Sequence, residues 1–186
     1  MDALQMARLK WPEMEPGMDE LVVALRNHPF TKDFPDSSIA RLGCLAQKVA
    51  FQEDQVIFRE GEQSRHFYLL LTGSVCIEIS TAVFAVCIQA LGPGEVFGWS
   101  TLADDSHTLF QVRAREASSA LCFNGPQLLE VCREDPELGR EIFQRLLAVA
   151  ARRVAASETR LAEFCGVAAL KNPQRRPPCP PARPPR

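Results

Sequence analysis

Between Gly94 and Ala114 the chain reads GEVFGWSTLADDSHTLFQVRA, a stretch that gathers several groups able to hold an anion. Gly94 and Gly98 permit tight turns and a close approach of backbone to ligand. Ser100 and Thr101 follow at once, and their hydroxyls can add donors to a ring of backbone N–H groups. His107 can supply a pH-dependent positive charge. Arg113 stands in an alternating run with Arg115 two residues on. The chemistry these types suggest is recognition of a phosphate or another anion, with no bond made or broken. Against it, Asp104 and Asp105 put two negative charges into the same loop. The bland reading is that the loop keeps a fold's shape and holds nothing, with a loop histidine and a strand arginine that are simply solvated.

Nothing else in the chain assembles catalytic chemistry. There is no Gly-rich phosphate loop, no GxSxG and no HExxH. A metal-dependent barrel enzyme needs two or three histidines converging with a carboxylate. His28, His66 and His107 fall on three separate segments without a close His-x-His pair, so no metal site is expected. The seven cysteines (Cys44, Cys76, Cys87, Cys122, Cys132, Cys165, Cys179) form an odd set without a CxxC pair. Cys76, Cys87 and Cys122 lie in apolar strand-like runs, where a thiol acts as a small hydrophobe. All seven read as reduced cytoplasmic cysteines, and an iron–sulfur cluster lacks the clustered thiolates it needs.

Composition sets wider bounds. With 186 residues, 46% hydrophobic and 24% charged, the chain can bury a sizeable core. A net charge of −2 gives the whole molecule no field that would gather nucleic acid or anionic membrane. No apolar run approaches the ~20 residues of a membrane span, and the first residues, MDALQMARLKWPEMEPG, carry no apolar export segment. A cytoplasmic protein is expected.

The elements that must position the loop can be read from periodicity. Residues 1–17 lack a period and suggest a flexible arm. Apolar positions 18, 21, 22 and 25 predict a helix over Met18–Asn27, and Asp36 or Ser37 can cap a second one presenting Ile39, Leu42 and Leu45. From Val49 the pattern turns to short apolar or alternating runs: 49–51, 55–58, 66–72, 74–80, 82–90, 96–97, 110–114 and 118–123. Gly61 and Gly73 mark turns. Eight short strands without intervening helices predict a sandwich or jelly roll. Gly125–Arg133 reads as a short helix. Asp135-Pro136 then opens a long one, capped by Asp135, that runs to about Phe164 with Gly166 as its stop. The tail NPQRRPPCPPARPPR is Pro/Arg-rich and expected to be disordered or polyproline-like. Its four arginines could touch phosphate, a membrane surface or a proline-recognising groove.

The chain resembles the cyclic nucleotide-binding domain family. In FREGEQSRHFYLLLTGSV (Phe58–Val75) the residues Gly61, Glu62, Tyr68, Gly73 and Val75 match the family's strand–glycine turn–strand signature. In LGPGEVFGWSTL (Leu91–Leu102), Gly94 and Gly98 match the start of its ligand cassette, and VRA (Val112–Ala114) matches the strand leaving it. The resemblance covers about residues 34–165. Within the family the chain is most similar to stand-alone Crp/Fnr-type sensor modules that lack a helix-turn-helix domain; the tail after Phe164 cannot supply one. It implies a mainly β double-stranded β-helix (jelly roll) with flanking helices and a long C-terminal helix. The domains expected are the arm 1–17, a sensor domain 18–133 with its N-terminal helices, a dimerisation-type helix 134–165, and the tail 166–186.

It also implies a cassette that holds a cyclic phosphate with backbone N–H groups, a carboxylate on the ribose and an arginine on the phosphate. Here Trp99 stands at the carboxylate position and Thr108 at the arginine position. Indole accepts no hydrogen bond from a ribose hydroxyl, so Trp99 would stack on a ligand or, more in keeping with its bulk, plug the pocket. Threonine lacks the charge and the fork that suit arginine to phosphate. The degenerate cassette (Gly98, Trp99, Ser100, Thr101, His107, Thr108, with Arg113 as a possible contact) is expected to bind cyclic nucleotide weakly or not at all, and no other cofactor is implied. The resemblance further implies a homodimer joined along the long helix by Ile142, Phe143, Leu146, Val149, Ala150, Val154 and Leu161, with Phe164 at its end and Arg152-Arg153 interrupting the stripe. The expected function is a non-catalytic cytoplasmic regulatory module acting through dimerisation, a small-molecule effector or a partner protein, with DNA disfavoured. The alternative is a Crp/Fnr-type transcription-regulator relative with residual cyclic-nucleotide or DNA binding.

Overall fold

A computed structural model describes residues 17–165 except 64, 82, 104–106 and 109. The arm before Gly17, the Pro/Arg-rich tail, the Gly166 stop and the Asp104-Asp105 pair lie outside the described residues. Two helices come first, α1 (Met18–Asn27) and α2 (Asp36–Leu45). Each buries two leucine-type positions three or four apart, Leu21 and Leu25 on α1, Ile39 and Leu42 on α2, as one helical face requires. The start of α2 corrects one expectation. Pro35 occupies the capping position, so Asp36 is already inside the first turn and caps nothing. Its carboxylate favours the positive helix end from there and meets Arg26 at 2.5 Å.

Eight strands follow: β1 (Gln47–Phe51), β2 (Val56–Phe58), β3 (His66–Thr72), β4 (Val75–Ser80), β5 (Ala85–Leu91), β6 (Val96–Phe97), β7 (Gln111–Ala114) and β8 (Ser118–Asn124). They form two four-stranded sheets, ordered β1-β8-β3-β6 and β2-β7-β4-β5, and every pairing is antiparallel. This is the jelly roll that the short, glycine-punctuated runs predict.

Period-2 alternation sorts the side chains. Val75, Val112, Ala114, Tyr68 and Phe97 face one buried cluster. There Tyr68 stacks on Phe97 with ring centroids 4.7 Å apart and meets Phe51 edge-on at 6.0 Å. The alternate residues Phe67, Leu69 and Phe123 pack with Phe30, Leu128 and Ile142 around a cavity of about 10 Å³, at most the room of one water.

Helix α3 (Gly125–Glu134) is capped by the Asn124 side chain, which accepts from the Gln127 N–H. Helix α4 (Pro136–Phe164) starts as its Asp-Pro dipeptide predicts: the Asp135 carboxylate accepts from the Leu138 N–H at 3.1 Å. That bond, with Arg41 beside it, holds the Asp135 carboxyl below the usual carboxylate range. The chain divides into two compact units, Met1–Ile142 and Phe143–Arg186. Among the described residues no helix is long and apolar enough to cross a membrane.

One expectation about thiols is overturned. Cys76 and Cys87 form a disulfide, with Cα atoms 5.9 Å apart on neighbouring strands β4 and β5. Cys44, Cys122, Cys132 and Cys165 are free thiols.

Candidate functional site

The cassette opens at Gly94, whose φ of +86° and close approach to Pro29 both demand glycine; an added Cβ would lie 2.8 Å from the proline ring. The Gly94 N–H donates to Leu70 O, an oxygen also met by His28 Nε2 at 3.2 Å. Since His28 Nδ1 accepts from the Phe30 N–H, the ring is the neutral tautomer with its proton on Nε2. Burial drives its pKa down to about 4, only partly offset by the bond to Leu70. His28 thus ties the segment after α1 to the cassette's entrance.

Gly98 carries the second turn, at φ +73°, where a Cβ would come within 2.3 Å of His66 O. The chain then makes a single 3-10 turn, Trp99–Leu102, with Thr101 N–H donating to Gly98 O at 3.2 Å and Ala103 N–H to Ser100 O at 3.0 Å. Four residues align few peptide dipoles, so this turn is a weak anion site by itself. Trp99 is 38% exposed. As first residue of the turn its indole lies partly at the surface, whereas Thr101 and Leu102 are buried. Ser100 is half-buried.

Thr101 lies deeper in the turn. Its buried Oγ1 has no hydrogen-bond partner among the described residues and fills the space where a Cβ on Gly125 would sit, 1.8 Å away. The hydroxyl side of Thr101 is thus pressed against the start of α3.

At the far end of the cassette, Thr108 is stitched to the turn between β2 and β3. Its hydroxyl donates to Arg59 O at 2.5 Å, with Glu62 O at 3.1 Å. Its backbone exchanges bonds with the same turn, Gly61 N–H to Thr108 O at 2.7 Å and Thr108 N–H to Glu62 O at 2.9 Å. His107 is exposed and bridges to Gln63 beside it. The residue standing where the family's arginine is expected therefore closes on its own protein.

Arg113 is held elsewhere. Its neighbours Val112 and Ala114 face the core, so Arg113 points to the other side of the sheet. There Nε donates to Glu78 at 3.2 Å and Nη1 to Asp54 O at 2.8 Å, while Gln111 also donates to the buried Glu78 carboxylate at 2.9 Å. The structure brings Gly98, Trp99, Ser100 and Thr101 into one turn and ties His107 and Thr108 to the segment between β2 and β3; Arg113 serves an ion pair across β4 and β7. Neither Glu78 nor His28 carries a sequence signal for its role: an alternating strand places Glu78 on the non-core face, and only the structure shows that face buried.

A second candidate region lies on α4 beyond Phe143. Of the residues assigned to a helix seam, Ile142 lies in the core described above and Leu146 is buried. Val149 and Ala150 are half-buried. The exposed apolar positions are Phe143, Leu147, Val154, Leu161 and Phe164. With Ala150 and Ser157 they are spaced alternately four and three, a heptad stripe that includes Leu147, absent from the sequence-derived set, and passes beside the buried Leu146. Arg152 and Arg153 lie beside this stripe.

Two antiparallel sheets closed on an aromatic cluster, with a glycine-bounded turn between β6 and β7, define a jelly-roll domain. Residues 48–135 match the family model of the cyclic nucleotide-binding domain. No curated protein sequence matches the chain. Among solved structures, a cyclic nucleotide-binding domain from Methylobacillus flagellatus is 20% identical with a TM-score of 0.67, over 79% of this chain and 83% of that one. The catabolite activator protein of Thermus thermophilus is 22% identical with a TM-score of 0.60, over 74% of this chain and 63% of that one. The regulatory subunit of a cAMP-independent protein kinase A from Trypanosoma brucei is 19% identical with a TM-score of 0.62, over 72% and 47%. At these identities the likeness establishes the fold.

Proposed function

We propose that this chain is a non-catalytic regulatory module of the cyclic nucleotide-binding type, at work in the cytoplasm, whose cassette no longer recognises cyclic nucleotide. Its output runs through self-association along α4 or through a partner protein, under the control of an effector other than a cyclic nucleotide or of none.

Thr108 carries the reading. A cyclic phosphate bound in this cassette needs a cation where the hydroxyl of Thr108 donates to Arg59 O. Charge-assisted hydrogen bonds are worth about 1.5–3 kcal/mol, roughly ten- to a hundredfold in affinity. A neutral hydroxyl already satisfied by the protein supplies none of that. Trp99 offers no acceptor for a ribose hydroxyl, and the turn behind it is too short to compensate. The Trypanosoma relative supports the logic: a triple mutant of that cAMP-independent subunit, one of whose changes turns a threonine into an arginine, is bound to cAMP.

Calorimetric titration tests it. Cyclic AMP and cyclic GMP are expected to give no saturable heat up to millimolar concentration with the native chain. Trp99→Glu combined with Thr108→Arg is expected to gain at least tenfold in affinity for cyclic AMP. Micromolar or tighter binding by the native chain would overturn the reading.

A further inference from the structure

We propose that Cys76 and Cys87 form an exchangeable disulfide, which a small-molecule thiol opens at the Cys87 sulfur and which locks the β4–β5 hairpin while closed. This stands independently of the cassette reading.

A bulge makes the pair possible. In the β4–β5 register Ile77 lies opposite Gln89, and the next pair is Glu78 opposite Cys87, so Ile88 is an extra residue on β5. Without it, Cys87 would lie opposite Ile79, on the face that β4 turns towards the core. The extra residue flips Cys87 to the face shared by Cys76 and Glu78, because side chains alternate strictly along a strand. The resulting Cα separation of 5.9 Å falls within the span of a disulfide.

The two sulfurs are unequally accessible. Cys76 is 0% exposed, whereas Cys87 is exposed on an edge strand. Nucleophilic attack is therefore directed to Cys87. A small thiolate forms a bond to Cys87 Sγ, the Cys76–Cys87 bond breaks, and its electron pair leaves on Cys76 as thiolate. Arg113 lies directly opposite Cys76 on β7, on the same face, where it is paired with Glu78. A second thiol then attacks the small-molecule sulfur of the mixed disulfide, releasing the oxidised small disulfide and the Cys87 thiolate. The net exchange converts two small thiols and one protein disulfide into one small disulfide and two protein thiols. The reverse reaction, with the small disulfide as oxidant, closes the bond.

Opening has a structural consequence. Among the described strands β5 pairs only with β4 and forms the edge of its sheet. Its first residues are exposed, as are Val83 and Phe84 at the hairpin's tip, so few packed side chains replace the lost covalent tie.

Two measurements on the full chain decide the matter. The protein is equilibrated in glutathione buffers from oxidised to reduced, alkylated in the folded state, digested and mapped by mass spectrometry. A linked Cys76–Cys87 peptide is expected in oxidised buffer. In reduced buffer it should disappear, with Cys87 alkylated at least tenfold faster than Cys76. Hydrogen exchange of the backbone over residues 79–88 should then quicken at least fivefold on reduction. Cys87→Ser, a change at an exposed position, should show the fast rate in both buffers. Absence of the linked peptide, its survival in folded protein under about 10 mM reductant, or equal exchange rates in both buffers would each overturn the proposal.

Discussion

His28 shows how one side chain can write a pH dependence into this domain. It is buried, neutral and bonded at both ring nitrogens, and its pKa lies at about 4 against 6.5 for a free imidazole. Between those values the unfolded chain binds a proton that the folded one excludes. Stability from this group is therefore fully present above pH 6.5 and drains away as pH falls towards 4, by on the order of 3 kcal/mol. His28→Gln removes the titration. In urea unfolding at fixed protein concentration, the native chain should exceed the variant at pH 7, and that difference should shrink by about this amount at pH 4. A difference that stays constant across the range would show that His28 stays uncharged for no energetic reason. The sequence disclosed less at this scale than the residue types promise. Gly98 and Thr108 were legible because glycine at positive φ and a missing guanidinium are visible in the letters themselves. His28 and Cys87 were not. A histidine's burial depends on Leu70, forty-two residues away, and the face of Cys87 depends on a bulge that no local pattern announces.

At the scale of elements, the same loop is positioned by contacts that leave no room. Gly125, at the start of α3, has space for nothing because the Thr101 hydroxyl of the 3-10 turn fills its missing side chain's position at 1.8 Å. A methyl at residue 125 must push the turn away from the helix. Gly125→Ala is expected to cost about 1–3 kcal/mol by overpacking, although alanine is the better helix former. Thr101→Ala vacates the space and removes a buried hydroxyl without a partner. Combined with it, Gly125→Ala should cost less than about 1 kcal/mol. The coupling energy from that double-mutant cycle, read by urea denaturation, measures the grip of α3 on the cassette. Additive effects would mean that turn and helix do not press on each other. Elements themselves were the most readable part of the chain. Periods of two and of 3.6 located eight strands and four helices within a few residues, since each period reports one buried face. The start of α2 departs from expectation because Pro35, with its fixed φ, takes the flanking position and leaves Asp36 inside the first turn.

For the whole molecule, the decisive question is what covers α4. Beyond Ile142 the helix presents Phe143, Leu147, Ala150, Val154, Ser157, Leu161 and Phe164 at alternating spacings of four and three. Phe164 is 90% and Leu147 71% exposed, a large unburied apolar area for one helix. A repeat of 3.5 is the period at which two helices keep one seam facing a partner over several turns. In that register Leu147, Val154 and Leu161 take the a positions, with Phe143 and Phe164 at d. Arg153 then falls at g and Glu158 at the following e. Two parallel copies would set Arg153 against the partner's Glu158, an attractive pairing that favours the parallel orientation. Small residues at 150 and 157 weaken the middle of the seam, so association should be reversible with concentration. Light scattering is expected to give twice the chain mass at tens of micromolar. Leu147→Glu should return it to a monomer, because a carboxylate would be buried at an a position. Leu146→Ala, outside the seam, should lower thermal stability while leaving the dimer assembled. A native chain that stays monomeric at the highest soluble concentration would remove self-association and leave a partner protein as the occupant of this helix.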